Sequence, residues 1–321
     1  MFDLISGIYP PKAQWTVDQI PDQTGRIAIV TGGNSGIGYE TVLNLLRKNA
    51  KVYLVARSEE RAKEAIDKLK AEKLPGEVVF MKMDQASLKD IKRFAEEYMK
   101  KESRIDMLFN SAGVMAPKVG EKTADGYELH VGTNSLGSHY LTTLLLPALR
   151  ATKEQTGHPA RVCFTSSIAH RFTSSKGFDP EDYTGLHSPP RFIPGENRAY
   201  GTSKFCNILS AKWFNRHYGK DGIVFTSCHP GNLRTGLTRD WNKGLHAVLV
   251  PIVKSVVLYP QEMGCISQLY LNTAPEAESK GGAYYVPWAR EAEPMPQASD
   301  EKIQESFATW VDEQVAKHIP A

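Results

Sequence analysis

Tyr200 and Lys204 stand four residues apart in Tyr200-Gly201-Thr202-Ser203-Lys204, a spacing that puts both side chains on one face of a helix. A free tyrosine, with a pKa near 10, is a poor proton donor or acceptor at neutral pH. A lysine cation about 4 Å away, at an effective dielectric of about 20, favours the phenolate by roughly 4 kcal/mol before its own desolvation is counted. That is about three pKa units, enough to bring a phenol into the range of a general acid or base. The pair is common by chance, so its company decides. Ser166 and Ser167 follow an apolar run at 161–165, and Pro230, Gly231 and Thr235 follow another at 223–228.

A second group of residues suits a nucleotide. Thr31-Gly32-Gly33-Asn34-Ser35-Gly36-Ile37-Gly38 comes directly after the apolar run 26–31. Glycine lets a backbone turn sharply and approach a pyrophosphate, and the following helix N-terminus offers N–H donors and a partial positive charge. Gly32, Gly36 and Gly38 are spaced G-x-x-x-G-x-G, and a tight strand-to-helix turn without a ligand is the plain alternative. Residues 51–57 contain no acid and end in Arg57. An acid there would accept the ribose hydroxyls of NAD, whereas an arginine can pair with a 2′-phosphate, so the expected cofactor is NADP(H). One charge-assisted bond, worth about 1.5–3 kcal/mol, gives roughly a ten- to hundredfold preference. Asp84 is expected either to accept from an adenine amino group or to cap the next helix, and Ala112 and Gly113, after Asn110 and Ser111, leave room for a cofactor.

These positions need a scaffold that brings them together. Apolar runs read as strands at 26–31, 51–56, 77–81, 105–109, 161–165 and 223–228, alternating with helical patterns at 37–49, 59–73, 87–101, 134–149 and 199–218. Such alternation implies an α/β fold: a single-domain Rossmann-type doubly wound parallel sheet with helices on both faces. Ligands of such sheets bind beyond the carboxyl ends of the strands, where the residues above fall. No linker or repeat divides residues 1–321.

Composition narrows the class further. At 321 residues, with 41% hydrophobic and 23% charged residues, the chain can bury a large core without staples. The net charge of +3 is spread along the chain, which disfavours a nucleic-acid partner. Cys163, Cys206, Cys228 and Cys265 lie far apart with no ligand spacing, so neither a metal site nor a disulfide framework is expected. Residues 1–15 show no basic stretch followed by an apolar one, so a cytoplasmic protein without signal peptide or membrane span is expected.

Together the motifs resemble those of the short-chain dehydrogenase/reductase family: TGGNSGIG at 31–38, NSAG at 110–113, Asn134 in NSLG, SSIAH at 166–170, YGTSK at 200–204 and HPGNLRT at 229–235, in order across roughly residues 25–290. The resemblance implies that Tyr200 is the general acid or base, that Lys204 lowers its pKa and binds the nicotinamide ribose, that Ser167 rather than Ser166 binds the substrate carbonyl, and that Asn134 holds a water leading from Lys204 to solvent. It implies cofactor contacts from Gly32, Ser35, Gly36, Ile37, Arg57, Asp84, Asn110, Ala112, Tyr200, Lys204, Leu233 and Thr235. Family members are often dimers or tetramers through the helices after the fourth and fifth strands, so a homo-oligomer is possible.

Two departures bear on the substrate. Ser111 replaces a usual asparagine in a segment whose contact is mainly backbone. Ser167 and Tyr200 are 33 positions apart, far beyond the family's shortest spacing, so an insertion spans about 171–197. With Phe172, Phe178, Tyr183 and Phe192 among prolines and glycines, it reads as an ordered loop beside the site. A long insertion there is similar to the retinol dehydrogenase, WW-domain oxidoreductase and protochlorophyllide reductase branch, which handles mostly bulky apolar carbonyls and alcohols. The apolar stretch 245–259, broken by Pro251 and Lys254, is too short to span a bilayer and is read as a lid or subunit interface before a shallow membrane contact. The expected activity is NADP(H)-dependent interconversion of an aldehyde or ketone and an alcohol on a bulky apolar molecule. A silent nucleotide-binding sensor and a double-bond reductase are the competing readings.

Overall fold

In the computed structural model, which describes residues 9–115, 117, 120–187, 195–233 and 258–319, one eight-stranded sheet forms the centre of the molecule. Its strands are β1 (Ile27–Thr31), β2 (Lys51–Ala56), β3 (Glu77–Lys82), β4 (Met107–Asn110), β5 (Ala160–Thr165), β6 (Ile223–Cys228), β7 (Tyr284–Val286) and β8 (Arg290–Ala292), in the order β3-β2-β1-β4-β5-β6-β7-β8. All neighbours are parallel except β7 and β8, an antiparallel edge pair that the apolar runs do not predict. The order reverses between β1 and β4, which opens the crevice typical of doubly wound sheets.

Alternate residues of each strand feed opposite faces. Ala28, Val30, Val52 and Leu54 pack with α1 (Gly36–Leu46), α2 (Glu59–Ala71) and α6 (Ile266–Thr273) through Val42, Leu69 and Leu269. Ile29, Tyr53, Leu108 and Val162 face α3 (Leu88–Lys101), α4 (Gly137–Thr156), α5 (Gly195–Tyr218) and α7 (Glu301–His318) through Phe94, Leu145, Phe205 and Phe307. The central strands are buried on both faces, which is why they read as continuous apolar runs. Ser58 and Ser87 cap α2 and α3 by accepting from Arg61 and Asp90 N–H, and Gly157, at φ +75°, ends α4 in the left-handed region.

Two segments differ from the expectation. The helix expected from residue 134 begins at Gly137, because residues Gly132–Leu136 form a π-turn after the short helix Leu129–Val131. A Cβ at Gly137 would stand 2.5 Å from the Gln85 carbonyl oxygen, so this corner is set by a close backbone approach. The C-terminal stretch, beyond the expected strands and helices, holds β8 and α7. Trp213 donates to Glu305 at 2.8 Å and Arg216 to Gln304 at 2.7 Å, which ties α7 to α5. Phe178 and Tyr183 of the insertion pack on Trp310 at ring separations of 5.5 and 5.2 Å. No helix among the described residues is long and apolar enough to cross a membrane.

Candidate active site

β5 ends at Thr165, and the chain passes through Ser166 and Ser167 into the short helix Ile168–Phe172. Ser167 is extended at φ −158° and caps that helix, its Oγ accepting from Ala169 N–H at 3.2 Å. The same hydroxyl lies close enough to the phenol of Tyr200, from α5, to favour its phenolate. One turn on, Lys204 donates from Nζ to the Thr165 carbonyl at 3.0 Å and lies 5.7 Å from the centroid of the Tyr200 ring. Ser166 is buried and turned away from this group, donating to the Lys204 carbonyl at 2.7 Å. Ser167, Tyr200 and Lys204 are therefore brought together at the sheet edge.

The protonation balance of the site departs from the expectation. Burial raises the Tyr200 phenol above its ordinary pKa, and the Ser167 hydroxyl offsets this only in part. Burial also pulls the Lys204 ammonium down to about 8. In this arrangement burial of the phenol outweighs what favours the phenolate, so Tyr200 is not brought below its usual range.

Asn134, in the π-turn, makes three of the four bonds its amide can form. Its Oδ1 accepts from Val114 N–H at 2.8 Å, and its Nδ2 donates to the Val114 carbonyl and the Ser203 hydroxyl, each at 3.0 Å. It therefore fastens the segment after β4 to α5. Gly113 lies between: a Cβ there would stand 3.0 Å from Asn134 Oδ1 and 3.4 Å from Lys204 Nζ. The π-turn aims an amide that a regular helix would not, a recurring use of such turns.

A crevice of about 240 Å³ opens at the carboxyl ends of β1, β2 and β4, bordered by Gly32, Asn34, Ser35, Arg57, Arg61, Asp84, Ala112 and Thr133. Its floor is made for close approach. Gly32 has φ +69°, and a Cβ there would stand 3.0 Å from Ala112 Cα; one on Gly38 would stand 2.3 Å from the Gly32 carbonyl oxygen. Ser35 begins α1 without a side-chain cap bond. Arg57 and Arg61, four residues apart, are both exposed beside the crevice. This donor set, with a glycine floor at a helix N-terminus, fits a phosphorylated dinucleotide.

Several residues take other places than expected. Asn110 is buried and donates to Thr142 on α4, so its side chain points under the sheet edge and not into the crevice. Asp84 accepts from Ala86 N–H at 3.0 Å in the turn before α3, whose cap is Ser87, so it does not cap that helix, and it borders the crevice. Ile37 and Leu233 converge on Gly264, where a Cβ would meet them at 3.0 and 2.2 Å. Thr235, Phe192 and residues 245–257 lie outside the described residues. Tyr259, at the end of the apolar stretch, packs edge-on to Trp288 at 5.2 Å. Sequence reasoning misses Thr31, whose Oγ1 accepts from Ser111 and Ala112 N–H at 3.0 and 2.9 Å, and Arg61, whose signal is its i+4 spacing from Arg57. Among the described residues no group of His, Cys, Asp and Glu could hold a metal ion.

Residues 26–177 match the family model of short chain dehydrogenases, and a short-chain dehydrogenase/reductase of Armillaria gallica is 40% identical over 311 residues, 97% of each chain. The chain belongs to the short-chain dehydrogenase/reductase family. An oxidoreductase of Schizosaccharomyces pombe is 35% identical over 87% of this short-chain dehydrogenase/reductase and 81% of its own length. A solved structure from Mycobacterium paratuberculosis superposes with a TM-score of 0.71 at 25% identity, covering 96% of this chain and 100% of its own. RhlG of Pseudomonas aeruginosa, solved as an active-site complex with NADP, has a TM-score of 0.64 at 22% identity over 84% of this chain and 96% of its own; that likeness carries the fold. This family member is thus an oxidoreductase with a Rossmann-type nucleotide-binding sheet.

Proposed function

We propose that this short-chain dehydrogenase/reductase interconverts a carbonyl and an alcohol on a bulky apolar small molecule with NADP(H), with Tyr200 as general acid and base. The observation that carries the reading is the contact of the Ser167 hydroxyl with the Tyr200 phenol, one helical turn from Lys204 and beside the glycine-floored crevice. A bound nicotinamide supplies or accepts the hydride. Gly32, Ser35, Gly36 and Ala112 would carry its pyrophosphate and Arg57 with Arg61 its 2′-phosphate. In reduction Ser167 holds the substrate oxygen by a hydrogen bond and Tyr200 hands it the phenolic proton. A raised phenol pKa suits that direction, since Tyr200 keeps its proton at neutral pH. Lys204 retains most of its charge at that pH and steadies the phenolate as it forms. The NADP-bound RhlG structure and the absence of an acid in residues 51–57 support the cofactor reading. The insertion, the apolar stretch 245–259 and the low net charge support an apolar substrate.

The test follows NADPH and NADH oxidation against aldehydes, ketones, quinones and enones of graded size. Turnover of large apolar carbonyls with a preference for NADPH is expected, with the alcohol as product. Product mass showing a reduced double bond, or no turnover at all, overturns the carbonyl reading.

A further inference from the structure

Tyr200 has a second basic neighbour besides Lys204. His130 lies in the short helix before the π-turn, is buried, and its ring centroid stands 5.7 Å from that of Tyr200 at an interplanar angle of 66°. The imidazole is pinned at both nitrogens: Nδ1 is 2.7 Å from a carboxylate oxygen of Glu128, and Nε2 is 3.1 Å from the Met115 carbonyl oxygen. Both partners are acceptors. Glu128 is itself anchored: its second oxygen accepts from Val131 N–H at 2.9 Å, and its own N–H donates to the hydroxyl of Tyr183, from the insertion, at 3.4 Å.

We propose that Glu128 and His130 form a positioning pair for Tyr200, in which the imidazole, held at both nitrogens, packs on the phenol ring and keeps it turned toward Ser167. The proposal rests on the reading of Tyr200 as the acid–base group. His130 is held by Glu128 from its own segment and by the Met115 carbonyl from the segment after β4, and it faces Tyr200, with Lys204 behind it, from α5. Glu128 holds the imidazole from one side, and His130 is the member that packs on the phenol ring. The pair also links the insertion to the reacting group, through Tyr183, Glu128, His130 and Tyr200 in turn. A histidine that merely filled this space would leave the titration of Tyr200 unchanged on replacement by another polar residue.

The experiment titrates the full-length protein with NADP+ bound by ultraviolet phenolate absorbance. Subtracting the Tyr200→Phe signal isolates Tyr200, and the same subtraction is made in a His130→Gln background. The kinetic arm measures kcat and KM with decanal and NADPH. His130→Gln is expected to make Tyr200 titrate about half a pH unit higher or more, because the freed ring loses the Ser167 hydroxyl that favours its phenolate. It is also expected to lower kcat about tenfold while KM and the NADPH Kd stay within about twofold. An unmoved Tyr200 titration overturns the proposal. Should His130→Gln not fold, Glu128→Gln, which leaves the ring in place, is read in the same way. If Tyr200→Phe turns decanal over like the wild type, the acid–base reading falls, and the titration still reports on the pair.

Discussion

The imidazole of His170 donates from Nδ1 to the carbonyl oxygen of Ser167 at 2.7 Å. Its Nε2 accepts from Met295 N–H at 3.2 Å, so the neutral ring has one defined tautomer, and burial holds its pKa down at about 4. Ser167 is thereby tied through His170 to Met295. Replacing His170 by Ala leaves the buried Met295 N–H unsatisfied, at a cost of about 1–3 kcal/mol, while the Ser167 carbonyl keeps only the backbone N–H of residue 170 at 3.0 Å. It also frees the serine, so kcat is expected to fall about tenfold. Tm and kcat, measured together, check this; an unchanged kcat at a lowered Tm would assign His170 to stability alone.

Arg57 and Arg61 are expected to divide the selection between the two cofactors. Arg57→Ala should weaken NADPH binding about ten- to hundredfold and leave NADH almost untouched. Arg61→Ala should have a smaller effect of the same sign, about three- to tenfold. Fluorescence titration of each variant with NADPH and NADH decides it, and equal losses for both cofactors would speak against a 2′-phosphate site.

Acid stability follows from two buried neutral histidines. His139, bonded at Nδ1 to Ser210, has its pKa lowered by burial from 6.5 to about 3, and His170 from 6.5 to about 4. Below pH 6.5 the unfolded chain takes up protons at both positions while the folded chain does not. Stability therefore falls as the pH drops from about 6.5 toward about 4, by about 1.4 kcal/mol per pH unit for each histidine. Urea midpoints at pH 7, 6 and 5 measure the slope, and His139→Asn should make it shallower. A midpoint that rises on acidification would contradict the assignment.

α7 lies against α5 and α4, the helices through which family dimers often form. Phe307 packs on His139, and Glu305 bonds Trp213 and His217, each at 2.8 Å. With that face covered by the chain's own helix, a monomer of 35.7 kDa is expected from light scattering. Glu305→Ala, which loosens the latch, should lower Tm by a few degrees. A stable dimer in the wild type would show that another face associates.

The strands and the glycine turn are legible in the sequence because their signals are local: apolar runs of five or six residues, glycines where Gly32 takes a positive φ, and a Tyr200–Lys204 spacing that holds in any helix. What stays hidden depends on partners distant in the chain. The role of His170 needs Met295, 125 positions away, and Thr31 acquires its function only when Ser111 and Ala112 arrive beside it. The side chain of Asn110 cannot be aimed from its motif, since Thr142 on α4 decides its direction. Spacing alone misjudges the tyrosine pKa, because it reveals a charge nearby but not the burial that opposes it.

The most direct measurement is single-turnover reduction of the best panel carbonyl by wild type and by Tyr200→Phe, each saturated with NADPH. The variant is expected to bind NADPH within about twofold of the wild type and to lose about a hundred- to ten-thousandfold in rate, the range of general acid catalysis. A Tyr200→Phe rate close to that of the wild type would contradict the assignment of Tyr200 as the proton donor.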